Sequence, residues 1–218
     1  MIPKKRLEFE SKVPVYLAIL AMVGLQIAVS DKLTIGPKYM LAEAELLLLF
    51  GTAITHAADH PFIKQFKRSF SLLLVVVVTL TNIASLFLVV FHLLNGGSSL
   101  SGHVLIFSAF AIYLTNIIIF GLWYWELDSP GLTGFTEPKR GPDFLFPQMT
   151  AKGVHPAIDS WYPKFLDYLY ISITNASAFS PTDALPLTRL AKSLMTIQSM
   201  TSLITVALVA ARAVNILN

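Results

Sequence analysis

Residues 69–125 read SFSLLLVVVVTLTNIASLFLVVFHLLNGGSSLSGHVLIFSAFAIYLTNIIIFGLWYW, and they include no lysine, arginine, aspartate or glutamate. An uncharged run of this length is long enough for two membrane-spanning helices of about 20 residues each and a link. Asn95, Gly96 and Gly97 supply a turn near its middle. The run therefore predicts one span over residues 70–94 and another over residues 103–125.

The composition of the whole chain agrees with a protein in contact with a lipid bilayer. Of its 218 residues, 55% are hydrophobic and only 13% are charged, against roughly 25% charged in a soluble domain. The mean hydropathy is +0.66. The absence of cysteine from the sequence excludes a disulfide scaffold and cysteine catalysis. A net charge of +3 is small for a nucleic-acid-binding protein, so no nucleic-acid partner is expected.

Three further helices are predicted outside the uncharged run. Residues 13–30 and 39–58 are apolar enough to form the first two spans, and the final helix has a charge-free centre over residues 193–211. Residues 126–163 are rich in proline and glycine and predict an extramembrane loop, whose bulky aromatic residues we expect to pack against the rest of the protein.

A short apolar stretch, residues 165–174, follows this loop. Ten residues cannot cross a bilayer as a helix, so the stretch is either a re-entrant helix or an amphipathic helix lying on the interface. Ser180 and Pro181 then read as the cap and first residue of the last helix, with Asp183 in its first turn.

The predicted fold is therefore an all-α polytopic membrane protein with five transmembrane helices and one short re-entrant helix. Its expected regions are a four-helix membrane region over residues 1–125, the loop at 126–163, and a module at 164–218. Lysine and arginine counts in the short loops place seven on the side of the N-terminus and two on the other, which predicts an N-terminus inside.

The stretch FLDYLYISITNASAFSPTDALPLTRLAKSLMTIQSMTSLITVALVAARAVNIL, residues 165–217, resembles the pore module of pore-loop cation channels. In that family an aromatic-rich pore helix ends in a filter threonine, and an acid, a proline, a basic residue and the pore-lining helix follow. The resemblance implies that Thr174 is the filter threonine, Asp183 the acid after the filter, and Arg189 the basic residue near the start of the inner helix.

The filter positions depart from the potassium-channel pattern. Residues 174–178 read Thr174, Asn175, Ala176, Ser177 and Ala178, with no glycine. Glycine permits the backbone that turns each filter carbonyl inward, so potassium selectivity is not implied. The chain also resembles uncharacterised small five-span bacterial integral membrane proteins, which implies a bacterial plasma membrane but no activity.

The two topological arguments disagree. A pore loop of the channel family enters from the outside, whereas the charge count places residues 126–163 and the module's entrance inside. Either one N-terminal segment does not cross the membrane, or the resemblance to channels is only structural.

The last helix carries a polar stripe. Gln198, Ser202 and Thr205 recur at steps of four and three and therefore share one face. Such a stripe could line an aqueous ion pathway together with residues 174–177 and Asp183. It could equally form hydrogen bonds between helices.

Two carboxylates lie within the second predicted span. Glu43 and Glu45 are two residues apart and point to different faces of a helix. A carboxylate inside a membrane is costly and indicates function by default, although both could instead lie near the interface in the helix's early turns. If one is deep and binds a proton or cation, we expect it to be Glu45.

One metal site is conceivable. His56, Asp59 and His60 follow the spacing i, i+3, i+4, which can hold a divalent metal on one helix face, but residues at a helix end beside a basic loop are commonly just solvated. The sequence has no nucleophile elbow and no HExxH motif, so neither an enzyme nor a cofactor is expected.

These observations predict an ion-conducting membrane protein, a pore-loop-like cation channel of undefined selectivity for a monovalent or other small cation. A pore with one short loop and one inner helix per chain requires several chains, so a cyclic homo-oligomer is expected. Two alternatives stay open: a proton-coupled secondary carrier that uses Glu43 or Glu45, and a non-transporting structural subunit of a membrane complex.

Overall fold

A computed structural model of the chain describes residues 13–34, 39, 42, 43, 45–47, 49, 50, 61–94, 101–128, 141–151, 153, 154, 156–159, 161–178 and 183–217. The described part of the chain is mostly helical, which fits the predicted all-α class. In chain order the elements are α1 (Val13–Ala28), a 3₁₀ turn (Asp31–Leu33), α2 (Pro61–Leu94), α3 (Gly102–Asp128), β1 (Phe144–Leu145), α4 (Pro147–Thr150), α5 (Pro156–Asp159), α6 (Phe165–Ala178), β2 (Leu185–Pro186) and α7 (Arg189–Leu217).

Three of these helices are long and apolar enough to cross a membrane. The candidate spans are Ser71–Leu93 in α2, Gly102–Asp128 in α3 and Arg189–Arg212 in α7. Helix α1 has 16 residues and is about 24 Å long at 1.5 Å per residue, shorter than the hydrocarbon core of a typical bilayer. Of the predicted second span, the described positions between 42 and 50 are helical, and residues 51–58 lie outside the described residues.

Helix α3 is the centre of the bundle. It packs against α1, α2, α6 and α7, and 61% of its spanning window is buried, against 22% for α7. The close approach of α6 depends on Gly121, because a Cβ atom there would lie 3.2 Å from both Cα and Cδ1 of Leu169. The side chains that fill the interior therefore come chiefly from α3, which explains why apolar residues occur all around it.

The segment after α3 folds back onto the bundle. The carboxylate of Asp128 accepts hydrogen bonds from the backbone N–H groups of Asp143 and Phe144 and from the hydroxyl of Tyr168, the last at 2.7 Å. Strand β1 pairs antiparallel with β2. As expected of the bulky residues in this region, Phe144 is buried, and its ring centroid lies 5.1 Å from that of Tyr124.

Three predicted boundaries are wrong. The predicted span over residues 70–94 belongs to a longer helix that begins at Pro61, because proline is well suited to the first position of a helix. The last helix begins at Arg189 rather than at Pro181. Thr188 replaces the expected cap: its hydroxyl accepts the backbone N–H of Ala191 at 3.2 Å, while the preceding residues pair with β1.

The third correction concerns the predicted filter. Helix α6 does not end at Thr174 but continues to Ala178, so residues 174–178 are helical rather than extended. The Thr174 hydroxyl bonds the carbonyl of Tyr170 at 3.0 Å, and the Ser177 hydroxyl bonds that of Ile173 at 2.8 Å. Because both hydroxyl groups donate hydrogen bonds to carbonyls of the same helix, neither side chain interrupts the helix.

Candidate functional site

The two carboxylates of residues 42–50 have opposite environments. Glu45 is 0% exposed, whereas Glu43 is exposed. The alternation follows from their spacing of two residues, which turns one side chain inward and the other outward. Within the described part of the chain, neither carboxylate oxygen of Glu45 has a hydrogen-bond partner.

Gln26 on α1 is the polar side chain that interacts with the carboxyl group of Glu45. The geometry falls short of a hydrogen bond, and both polar atoms of the Gln26 amide are buried and unpaired among the residues described. A buried polar group without a partner costs roughly 1–3 kcal/mol. The side-chain oxygen atoms of Gln26 and Glu45 are therefore buried without hydrogen-bond partners among the described residues.

A small cavity adjoins Gln26. Its volume is about 10 Å³, close to the room that one water-sized occupant needs. Ala42, one helical turn before Glu45, forms part of its wall. Apart from Ala42, Val29 and Ile112, the lining is polar and uncharged, and consists of Gln26, Thr34, Thr81, Asn82, Ser85 and Thr115.

The cavity lies at the middle of two candidate spans. Asn82 is the central residue of Ser71–Leu93, and Thr115 is the central residue of Gly102–Asp128. Thr115 is 1% exposed, and its hydroxyl has no partner in the part of the chain that the structure describes.

A second polar cluster joins α3, α6 and α7, with Gln198 at its centre. Its Oε1 accepts hydrogen bonds from the Tyr124 hydroxyl at 2.6 Å and from Asn175 Nδ2 at 2.8 Å. Its Nε2 donates to the carbonyl oxygen and the Oγ of Ser172, at 2.9 and 2.6 Å. Gln198 is 0% exposed, and these four contacts satisfy its amide fully.

Further bonds extend this cluster along α7. Asn116 Nδ2 donates to Ser202 Oγ at 3.0 Å, and Ser199 Oγ donates to Asn175 Oδ1 at 3.1 Å. Asn175 Nδ2 also donates to the carbonyl of Met195 at 3.0 Å. We call the side chains of Asn116, Tyr124, Ser172, Asn175, Gln198, Ser199 and Ser202 the Gln198 network.

The proposed pathway residues separate into two groups. Asn175, Gln198 and Ser202 meet in the Gln198 network; Thr205 is buried on the same face and bonds the carbonyl of Thr201 at 2.8 Å. Thr174, Ser177 and Asp183 are not part of this network: Ser177 and Asp183 are exposed, and Thr174 is half-buried. Ala176 is fully buried. Within one chain, Gln198 and Ser202 therefore bond side chains of neighbouring helices, whereas Thr205 bonds its own helix.

The carboxyl group of Asp167 lies at the start of α6. It accepts the backbone N–H of Lys164 at 2.7 Å, which helps to fix the first turn of the helix. Burial raises its pKa, and the hydrogen bond from Lys164 opposes that shift. Asp167 thus helps to position the first turn of α6.

The metal candidates His56, Asp59 and His60 lie outside the described residues. Among the residues that the structure does describe, no group of three histidine, aspartate or glutamate side chains could hold a metal ion.

Sequence reasoning did not identify the partners in either cluster. Gln26, Asn82 and Thr115 around the cavity, and Asn116, Tyr124 and Ser172 in the Gln198 network, were not singled out. The usable signal was the presence of amide and hydroxyl side chains in the centre of apolar runs, where each needs a partner.

The fold and the site together describe a helical protein with three helices long and apolar enough to cross a membrane, a buried carboxylate at Glu45 and a small cavity with a mainly polar wall. Comparison of the chain with protein-family models, curated protein sequences and solved structures gives no match in any of the three.

Proposed function

We propose that this chain moves a proton or another small cation across a membrane, and that Glu45 binds the ion on its way. The observation that carries the proposal is the environment of Glu45, which is 0% exposed with neither oxygen hydrogen-bonded within the described residues. An unpaired buried carboxylate is too costly to keep for structural reasons alone. Binding of a cation removes that cost.

The mechanism that fits this site best is a secondary carrier. With the ion bound, Glu45 is neutralised and tolerates the apolar interior; without it, the carboxylate favours a conformation in which water reaches it. The energetic difference between these two states couples ion binding to conformational change. The neutral polar lining of the cavity can solvate the ion during this step.

A pore-loop-like cation channel is the second candidate. It is favoured by the short helix α6 preceding the long helix α7, the order of a pore helix and an inner helix, and by the low burial of α7, of whose spanning window 22% is buried. In this proposal several chains form a cyclic homo-oligomer in which the exposed faces of α7 surround a common axis.

The number of membrane spans and the cellular location in this proposal are those predicted from the sequence. The chain crosses the membrane five times, with residues 39–58 as the second span and α6 as a re-entrant helix. It resides in a bacterial plasma membrane, as the resemblance to small bacterial membrane proteins implies.

Reconstitution in liposomes tests the proposal. Gradient-driven cation flux is measured for the wild-type protein, for Glu45→Gln, and for Glu43→Gln as the matched control on the same segment. Loss of flux in Glu45→Gln alone supports the proposal, and equal flux in all three proteins overturns it.

A further inference from the structure

We propose that the cavity lined by Gln26 and Thr115 is a hydration site, in which one water molecule bridges the Gln26 amide on α1 and the Thr115 hydroxyl on α3. Both residues form part of the cavity wall. The two polar atoms of the Gln26 amide and the Thr115 hydroxyl are buried and have no hydrogen-bond partner among the described residues. This inference goes beyond the proposed function and does not depend on it.

A break in α-helical structure lies next to the cavity. The 3₁₀ turn Asp31–Leu33 follows α1, and just before it the backbone N–H of Ser30 donates to Oγ of Ser108 at 3.5 Å. Ser108 is the seventh residue of the candidate span Gly102–Asp128 and lies about 9 Å from its start at 1.5 Å per residue. Backbone outside an α-helix is tolerated at such a depth where it is buried in protein or lines a water-filled cavity. Thr34, which follows the turn, lines this cavity.

The size and the chemistry of the wall select water as the occupant. The cavity volume is about 10 Å³, which is the room that one water molecule needs. The lining residues are all uncharged, so an ion would be buried here without an opposite charge, at a large desolvation cost. Cavities that stay dry have apolar walls, whereas most of this wall consists of amide and hydroxyl side chains.

One water molecule can satisfy both unpaired residues at once. Gln26 Nε2 can donate to the water oxygen, and the water can donate to the Thr115 hydroxyl oxygen. A buried water typically makes about three hydrogen bonds, and the wall offers further polar side chains for the third, among them Ser85. The water would therefore join α1 to α3 in the interior of the bundle.

A double-mutant cycle on the purified protein in detergent tests this bridge. Thr115→Val keeps the shape of the side chain and removes its hydroxyl, and Gln26→Met removes the amide. If the water is present, Thr115→Val lowers the melting temperature, and the two substitutions are coupled by at least about threefold in the unfolding equilibrium constant. If the cavity is dry, Thr115→Val removes an unpaired buried hydroxyl and raises the melting temperature.

Thr81→Val is the matched control for this cycle. Thr81 also lines the cavity, but its hydroxyl donates to the carbonyl of Val77 in its own helix at 2.9 Å. It should therefore show no coupling to Gln26→Met. The cycle also cancels what the Gln26 amide contributes elsewhere, including its interaction with Glu45, because that contribution is lost in both legs.

A measurement on the wild-type protein does not depend on how the variants fold. Nuclear Overhauser transfer from water is recorded at the δ-methyl groups of isoleucine. Ile112 lines the cavity, whereas Ile119 packs in the apolar core, and each is 1% exposed. We expect transfer from a long-lived water at Ile112 and none at Ile119. Absence of transfer at Ile112, a Thr115→Val protein that melts above the wild type, or strictly additive effects of Thr115→Val and Gln26→Met overturns the inference.

Discussion

The hydroxyl of Tyr124 on α3 donates a hydrogen bond of 2.6 Å to Oε1 of Gln198 on α7. The two residues are 74 positions apart, and both are fully buried. Where lipid surrounds a bundle, apolar contacts alone do not select one helix arrangement, because lipid tails are equally apolar. A satisfied polar contact of this kind fixes the register of α7 against α3.

Replacement of Gln198 should therefore destabilise the bundle. Gln198→Leu removes four contacts and leaves Tyr124 and Asn175 with fewer partners. At about 0.6 kcal/mol per contact in a membrane protein, we expect a loss of about 2 kcal/mol, measured by unfolding in detergent. Thr196→Ala on the exposed side of α7 is the control, since its hydroxyl bonds only its own helix. Equal stability of the two variants would contradict the structural role of Gln198.

The contact between α3 and α6 predicts a steric effect at Gly121. Gly121→Ala adds a Cβ atom 3.2 Å from the Cα atom of Leu169, and a backbone atom cannot move aside without shifting α6. Overpacking of this kind costs about 1–3 kcal/mol. Gly24→Ala on α1 meets nothing within 4 Å and should be neutral or slightly stabilising. Melting temperatures of the two variants check the difference, and a stable Gly121→Ala protein would mean that α6 packs differently.

The pair Thr174 and Asn175 separates the two candidate functions. Thr174→Val removes a hydroxyl that bonds only its own helix, so stability should change by less than about 0.5 kcal/mol and carrier flux should persist. Asn175→Leu should lower stability because Asn175 bonds Gln198 and Met195. Flux assays on folded Thr174→Val protein distinguish a carrier from a channel, because a channel with Thr174 at its filter would lose conduction.

The bond between Tyr168 and Asp128 holds the segment after α3 against the bundle. Tyr168→Phe leaves the aromatic packing against Phe146 in place, where the ring centroids are 5.3 Å apart. It removes a hydrogen bond to a carboxylate, worth about 1.5–3 kcal/mol. We expect faster limited proteolysis of residues 141–154 than in the wild type, with Tyr170→Phe on the exposed face of α6 as control. Unchanged cleavage would show that the strand pairing and the bonds from the Asp143 and Phe144 N–H groups to Asp128 hold this segment without the Tyr168 hydroxyl.

The membrane helices could be predicted from the sequence because hydropathy is a local property. The uncharged run at 69–125 gave two spans that correspond to α2 and α3, and the last predicted helix corresponds to α7. The spacing of Glu43 and Glu45 was equally local: it predicted that the two side chains point to different faces, and Glu45 is buried whereas Glu43 is exposed.

The hydrogen-bond partners could not be predicted, because they depend on how distant helices pack. The stripe of Gln198, Ser202 and Thr205 has the same spacing whether it faces water or another helix. Only the position of α3 decides, since Asn116 and Tyr124 meet the stripe there. The filter interpretation of residues 174–178 depended on a resemblance, whereas serine and threonine hydroxyls that bond their own helix let α6 continue to Ala178.

The measurement that tests the central claim most directly is cation flux in liposomes containing wild-type, Glu45→Gln or Glu43→Gln protein, at two pH values and with matched protein content. If Glu45 binds the transported ion, the wild type and Glu43→Gln show saturable flux that depends on pH, and Glu45→Gln shows none while melting as a folded protein. Undiminished flux through folded Glu45→Gln protein would contradict the account.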